Sequence, residues 1–168
     1  YAKSIFVEPL KELIRRRDFA IVTPDVGGIK IARSYAKILG LPLTIIDKRR
    51  PKPNKSEVMN VIGNADTKNA LIIDDMIDTG GSITEAATLL KKHGAETITV
   101  VATHALFSGN CIQRLTDSPI DLVIITDSIA IPEEKYFPKL KVLSAAPMLA
   151  EAIKRIHNEE SISSLFEF

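Results

Sequence analysis

Three short polar clusters carry most of the chemistry that this 168-residue chain can offer. The longest is Ile72-Ile-Asp-Asp-Met-Ile-Asp-Thr-Gly-Gly-Ser-Ile83, in which an apolar run ends on adjacent carboxylates, Asp74 and Asp75. Asp78, Thr79, Gly80, Gly81 and Ser82 follow, and then a helical pattern begins. The glycines let the backbone close on an anion, and the hydroxyls donate to it. The first turn of the next helix aims its unpaired N–H groups at the same point. Taken alone, Gly-Gly-Ser reads more simply as a strand-to-helix turn with Ser82 as N-cap. The acidic pair shifts that balance, because neighbouring carboxylates repel and lose their water at a cost unless something binds them. Sugar hydroxyls or a hydrated magnesium ion would satisfy them, so the cluster suits a phosphorylated sugar.

Pro24-Asp25-Val26-Gly27-Gly28 repeats the design on another strand, with a carboxylate at a Gly-Gly turn that opens a helix. It would suit a metal-bound diphosphate, and a turn merely capped by Asp25 is the open alternative. Asp47-Lys48-Arg49-Arg50-Pro51 sets three cations in a row. Such cations neutralise diphosphate charge during transfer, although a charge run is more often a solvated face. His104 reads equally as a ligand donor or a satisfied structural residue. His93 and His157 fall late in helices, where the dipole favours them. No Cys/His spacing supports zinc, no Gly-x-x-x-x-Gly-Lys-Ser/Thr is present, and no serine sits in a nucleophile elbow.

These clusters need a frame. Apolar stretches of strand type (19–23, 43–47, 58–63, 70–74, 97–103, 122–126 and 141–143) alternate with helical patterns. The helices are expected at 4–17, 29–39, 82–93, 109–115 and 146–158, with Gly40 and Gly94 as stops. Residues 48–56 read as a loop, a second loop lies near Pro132, and 159–168 form a tail. This alternation predicts an α/β fold of three layers, a mostly parallel sheet with helices on both faces. Ligands of such sheets bind beyond the strand C-termini, where the clusters after Thr23, Asp47, Asp74 and Thr103 would converge.

The bulk numbers fit one well-cored α/β domain: 45% hydrophobic and 26% charged residues. A net charge of +1 gives no electrostatic reason to expect nucleic acid. No apolar run approaches the roughly 20 residues of a membrane span, and no signal peptide is evident. Cys111 is the one cysteine, which excludes an internal disulfide and fits a reducing cytoplasm. It is expected as a small core residue. The opening Tyr1-Ala-Lys-Ser, without methionine, reads as a piece of a longer protein.

The 72–83 segment resembles the phosphoribosyl diphosphate (PRPP) loop of the type I phosphoribosyltransferase fold. Thr23-Pro-Asp-Val-Gly-Gly28, Ile46-Asp-Lys-Arg-Arg-Pro51 and Arg155-Ile-His-Asn-Glu-Glu-Ser-Ile-Ser-Ser-Leu-Phe166 narrow the likeness. Together they are similar to the C-terminal half of the ribose-phosphate diphosphokinase (PRPP synthetase) family, over essentially the whole chain. The resemblance implies magnesium-dependent transfer of the diphosphoryl group of ATP to the C1 hydroxyl of ribose 5-phosphate, giving PRPP and AMP. It assigns Asp74 and Asp75 to the ribose hydroxyls, and Asp78, Thr79, Gly80, Gly81 and Ser82 to the 5-phosphate. Asp25, Val26, Gly27 and Gly28 become the diphosphate loop, with Asp25 near Mg2+. Lys48 and Arg50 become the catalytic cations, and Ser161 and Ser163 a regulatory site for phosphate or ADP.

It further implies a cytoplasmic homo-oligomer and an N-terminal domain, absent here, that supplies a metal-binding histidine and much of the adenine pocket. Without that domain the chain is expected to hold ribose phosphate and to lack parts that catalysis requires. A PRPP-consuming transferase of the same fold is the first alternative, opposed by the Asp-Lys-Arg-Arg loop and the C-terminal tail. A non-catalytic regulatory subunit is the second, opposed by the presence of Asp74, Asp75, Lys48 and Arg50 together.

Overall fold

A computed structural model describes residues 2–15, 18–49, 58–63 and 67–165. Its helices are α1 (Lys3–Ile14), α2 (Ile29–Leu39), α3 (Gly81–Lys92), α4 (Cys111–Asp117) and α5 (Ala146–His157). Its strands are β1 (Phe19–Thr23), β2 (Leu43–Arg49), β3 (Val58–Ile62), β4 (Asn69–Ile77), β5 (Thr97–Ala105), β6 (Leu122–Thr126) and β7 (Leu140–Leu143). Single 3-10 turns at Glu133–Lys135 and Ser163–Leu165 occupy the loop after Pro132 and the tail.

The seven strands form one sheet in the order β3-β2-β1-β4-β5-β6-β7. Every pairing is parallel except the antiparallel β2–β3 contact. Fully buried runs of β-branched and aliphatic residues in β1, β4 and β6 are what a sheet covered on both faces requires. Alternation along each strand sorts those residues into two cores. Phe19, Ile21, Leu71, Ile73, Val101 and Ile124 pack with Phe6 and Leu10 of α1 and with Ala32 and Tyr35 of α2. Val22, Ala70, Ile72, Val100 and Val123 pack with Ile83, Ala86 and Leu90 of α3 and with Cys111 and Leu115 of α4. The three-layer expectation is therefore met.

Several boundaries differ from the sequence expectation, and the difference at β4 matters most. The acids Asp74 and Asp75 break the apolar run, yet the strand continues to Ile77 because Met76 and Ile77 keep pairing with His104 and Ala105 of β5. β2 likewise runs on through Lys48 and Arg49, which pair with Met59 and Val58 of β3, so these two cations are strand residues rather than loop. Arg50 and the remainder of that expected loop lie outside the described residues. α1 is helical to Ile14, short of the expected Arg17. Helix α4 starts two residues late, and its last turn is held by Gln113 donating to Asp117 at 2.9 and 2.8 Å.

Helix α5 turns its apolar face outward. Ala146, Leu149, Ile153 and Ile156 recur along one face and are exposed, Ile153 by 68% and Ile156 by 64%. The half-buried Arg155 Nε instead donates to Glu151 at 2.8 Å. Among the described residues, no helix is long and apolar enough to cross a membrane.

Candidate functional site

Strand order decides where a ligand would sit. The chain leaves β1 toward β2 on one side and reaches β4 on the other, so the β1/β4 boundary is the topological switch point, and a crevice opens there at the strand C-termini. The recorded pairing of β1 with β4 stops at Val22 and Ile72, leaving Asp74 and Asp75 to project beyond it. The 24–28 turn flanks this crevice from β1, and the 78–82 loop flanks it from β4.

The first turn is tightly determined. The Thr23 hydroxyl donates to the Asp25 carbonyl at 2.7 Å, and the Gly28 N–H donates to Asp25 Oδ1 at 3.0 Å. A side chain at Gly28 would begin 2.4 Å from Thr23 Oγ1, and one at Gly27 would begin 3.1 Å from Asp25 Oδ1. Asp25 thus does cap the turn, as the simpler reading of this cluster held. One carboxylate oxygen is engaged within the turn, and the other is not needed for it. Val26 stands 57% exposed at the tip.

The second loop is held from behind. Phe107 and Ser108 follow β5, and their N–H groups donate to the Ile77 and Asp78 carbonyls at 3.3 and 2.9 Å. Gly80 adopts φ +73, a left-handed conformation that a side chain resists, and its would-be Cβ lies 2.9 Å from Cys111 Sγ. It is Gly80, not Ser82, that precedes the first turn of α3; no side chain caps this helix, and Ser82 is exposed within it. The Ser82 N-cap reading is therefore replaced. Thr84, which the sequence did not single out, closes the turn by donating to the Gly80 and Gly81 carbonyls at 3.0 and 3.1 Å. Asp78 and Thr79 are exposed beside it.

Alternation sends the acidic pair to opposite faces. Asp74 follows Ala70 and Ile72 toward α3, whereas Asp75 follows Leu71 and Ile73 toward α2. Asp74 is half-buried, and its Oδ1 accepts the Asp75 N–H at 2.9 Å. Burial pushes its carboxyl up to about 7, assisted by the charges of Asp75 and Asp25 and opposed by the Asp75 N–H. Asp25, on the facing loop, adds the smallest share of that rise. A carboxyl raised chiefly by burial, with like charge beside it, is suited to a hydroxyl partner or to a nearby cation.

The other expected residues fall out as follows. Lys48 is placed by its backbone near the end of β2, next to β1, while Arg50 lies outside the described residues. Ser161 and Ser163 are exposed in the tail, where Ser161 Oγ accepts the Ser163 N–H at 3.2 Å and Arg155 Nη1 donates to the Ser161 carbonyl at 3.2 Å. Among the described residues, no hydrogen bond joins them to the crevice. Ser128 Oγ donates to the Thr103 carbonyl at 3.1 Å and is 2.9 Å from His104 Nδ1, so one ring nitrogen of the exposed His104 has a structural partner. Cys111 is buried, and burial, with the charge of Asp78, pushes its thiol up to about 11, as befits a core residue.

Thr23 is the site-shaping residue that sequence reasoning missed. The signal was a buried polar residue two positions before an acid and four before a glycine pair, which is visible only once the strand is known to be buried on both faces.

Residues 50–167 match the family model described as phosphoribosyl synthetase-associated domain. A ribose-phosphate pyrophosphokinase of Gloeobacter violaceus is 47% identical over 99% of this chain and 50% of its own length. The solved phosphoribosylpyrophosphate synthetase of Mycobacterium smegmatis aligns at TM-score 0.86 and 36% identity, covering 94% of this chain and 51% of that one. An adenine phosphoribosyl transferase from Trypanosoma brucei, 20% identical, shares the fold at TM-score 0.58 over 90% of this chain and 74% of its own. The chain spans about half the length of the curated relatives it matches. On these matches, the chain belongs to the phosphoribosyl synthetase-associated domain family.

Proposed function

We propose that this chain is the C-terminal half of an enzyme that transfers the diphosphoryl group of ATP to the C1 hydroxyl of ribose 5-phosphate, giving PRPP and AMP. The observation that carries this reading is the meeting of two glycine loops, at 25–28 and 78–82, with the carboxylates Asp25, Asp74 and Asp75 at the strand C-termini of the β1/β4 crevice. The α3 turn at 78–82 takes the 5-phosphate, Asp74 and Asp75 take the ribose hydroxyls, and the 25–28 turn takes the diphosphate. Lys48 and Arg50 neutralise the charge that builds up in transfer. Positioning and charge neutralisation are what phosphoryl chemistry demands, and no side chain need act as a general base.

Magnesium fits the donor set in one particular way. Among the described residues, no group of three or more His, Cys, Asp or Glu side chains is arranged to hold a metal. Mg2+ keeps several waters and is commonly bound by one or two carboxylates together with substrate phosphates. Asp25, with one oxygen engaged by Gly28, would hold the ion jointly with the diphosphate. The ion would supply charge neutralisation there.

The names of the relatives support the reaction, and their greater length supports a second half that completes the site. The exposed Leu149, Ile153 and Ile156 face of α5 is consistent with a covering surface, either that second half or another subunit of a homo-oligomer. Ser161 and Ser163, beside Arg155, are the proposed regulatory contact for phosphate or ADP, and the compartment is the cytoplasm. The test is an incubation of the full-length protein with ATP, ribose 5-phosphate and Mg2+, followed by phosphorus NMR. AMP and PRPP forming together are expected; no AMP dependent on ribose 5-phosphate would remove the assignment.

A further inference from the structure

Among the described residues, two that are not glycine have positive φ, Phe107 at +49 and Glu159 at +58, and of these only Phe107 is buried. Left-handed backbone is costly for a bulky L residue and persists only where the surroundings hold it. The Phe107 ring is held in the core with Cys111 and Leu115, and it meets Phe137 edge-on, centroids 6.0 Å apart at 77°.

The strained residue stands where the β4–β5 ladder slips. The two strands stay in register as far as the Ile77–Ala105 pair, and the Leu106 N–H donates to the Ile77 carbonyl at 2.9 Å. A parallel ladder repeats every two residues. Its next bonds would run from the Ser108 N–H to the Thr79 carbonyl and from the Thr79 N–H to the Leu106 carbonyl. Neither forms. The Ser108 N–H instead reaches one residue back, to the Asp78 carbonyl at 2.9 Å, and the Leu106 carbonyl accepts Lys135 Nζ at 2.8 Å.

This slip reverses one peptide. With the Asp78 carbonyl drawn toward β5, the Thr79 N–H of the same trans peptide points the other way, toward β1 and the crevice. It donates to no backbone carbonyl among the described residues.

We propose that Phe107 is a positioning residue for the 5-phosphate: its left-handed bend turns the Asp78–Thr79 peptide over and frees the Thr79 N–H for the anion at the start of α3. The inference rests on the reading of 78–82 as the phosphate loop, and it adds a buried aromatic that touches no substrate.

The test is calorimetry of the full-length protein with ribose 5-phosphate, with thermal unfolding to show that each variant is folded. Phe107→Leu and Phe107→Ile introduce isomeric side chains that differ in β-branching, and the branched one resists positive φ. Phe107→Leu should bind within about threefold of wild type, and Phe107→Ile about tenfold more weakly, the scale of left-handed strain. Phe107→Gly loses the ring contacts and should be the least heat-stable, yet glycine accepts the bend, so its affinity should stay within about threefold. Packing alone would reverse that ranking. Equal affinities for Phe107→Ile and Phe107→Leu would overturn the proposal and leave the phosphate loop standing. Loss of binding by a folded Phe107→Gly would do the same, whether or not Phe107→Ile folds. No binding by wild type would remove the phosphate-loop reading and this inference with it.

Discussion

The Thr23 hydroxyl donates to the Asp25 carbonyl at 2.7 Å and stands 2.4 Å from where a Gly28 side chain would begin. One residue thereby shapes the turn and demands a glycine at its far end. Gly28→Ala should destabilise the chain by about 1–3 kcal/mol, the usual cost of overpacking a tight site. Thr23→Ala removes the obstructing oxygen, so the same Gly28→Ala change should cost less in that background. Urea unfolding of the four-member cycle measures the coupling. Strictly additive effects would show that the close approach has no energetic consequence.

Asp74 makes stability depend on pH in a direction opposite to most carboxylates. Its carboxyl sits at about 7, so the folded chain keeps a proton that the unfolded chain releases near 4. The folded form then binds more protons across that interval, and stability should fall as pH rises from about 4 to about 7. Asp127, held low by the Ala145 N–H and the Ser144 hydroxyl, and Glu151, held low by Arg155, act with the opposite sign at lower pH. The comparison must therefore be between wild type and Asp74→Asn. Urea midpoints at pH 5 and pH 8 should show a smaller decline in the variant; equal declines would mean that Asp74 is ionised throughout.

Two glycines at positive φ separate backbone strain from crowding. Gly94 has φ +94 and open space around its would-be Cβ, whereas Gly80 has φ +73 and meets Cys111 Sγ at 2.9 Å. Gly94→Ala should cost about 1–2 kcal/mol from left-handed strain alone. Gly80→Ala should cost more and should also weaken ribose 5-phosphate binding, because it displaces the α3 turn. Thermal unfolding and calorimetry read the two effects. A Gly80→Ala chain as stable as Gly94→Ala would show that Cys111 moves aside freely.

Much of the frame was legible in the sequence, because the period-2 and period-3.6 patterns and the glycine stops are local signals. β1 and β6 have the expected ends. What was not legible depends on strand neighbours. Asp74 and Asp75 look like a strand end, yet β4 runs to Ile77 because β5 offers partners as far as Ala105. Lys48 and Arg49 look like loop until the antiparallel β3 is placed beside them. The convergence of Asp25 with Asp74 was expected from topology, whereas the burial that raises the Asp74 carboxyl required coordinates. The Ser82 cap failed for a specific reason: Gly80 supplies the turn by its own left-handed geometry, so no side chain is needed there.

If the β2 cations serve the transition state, then Lys48→Ala in the full-length protein should leave ribose 5-phosphate KM within about threefold. It should lower kcat by about 100- to 1,000-fold, the range seen when one transition-state donor is removed. Steady-state kinetics separate the two. A raised KM with unchanged kcat would make Lys48 a ground-state binding residue instead.

The most direct test of the central claim follows the β-phosphorus of ATP. With full-length protein, Mg2+, ribose 5-phosphate and ATP labelled at the β-phosphate, diphosphoryl transfer predicts that the label leaves the nucleotide, yielding labelled PRPP and unlabelled AMP. Retention of the label in ADP, with only a single phosphoryl group on the sugar or in solution, would contradict the account.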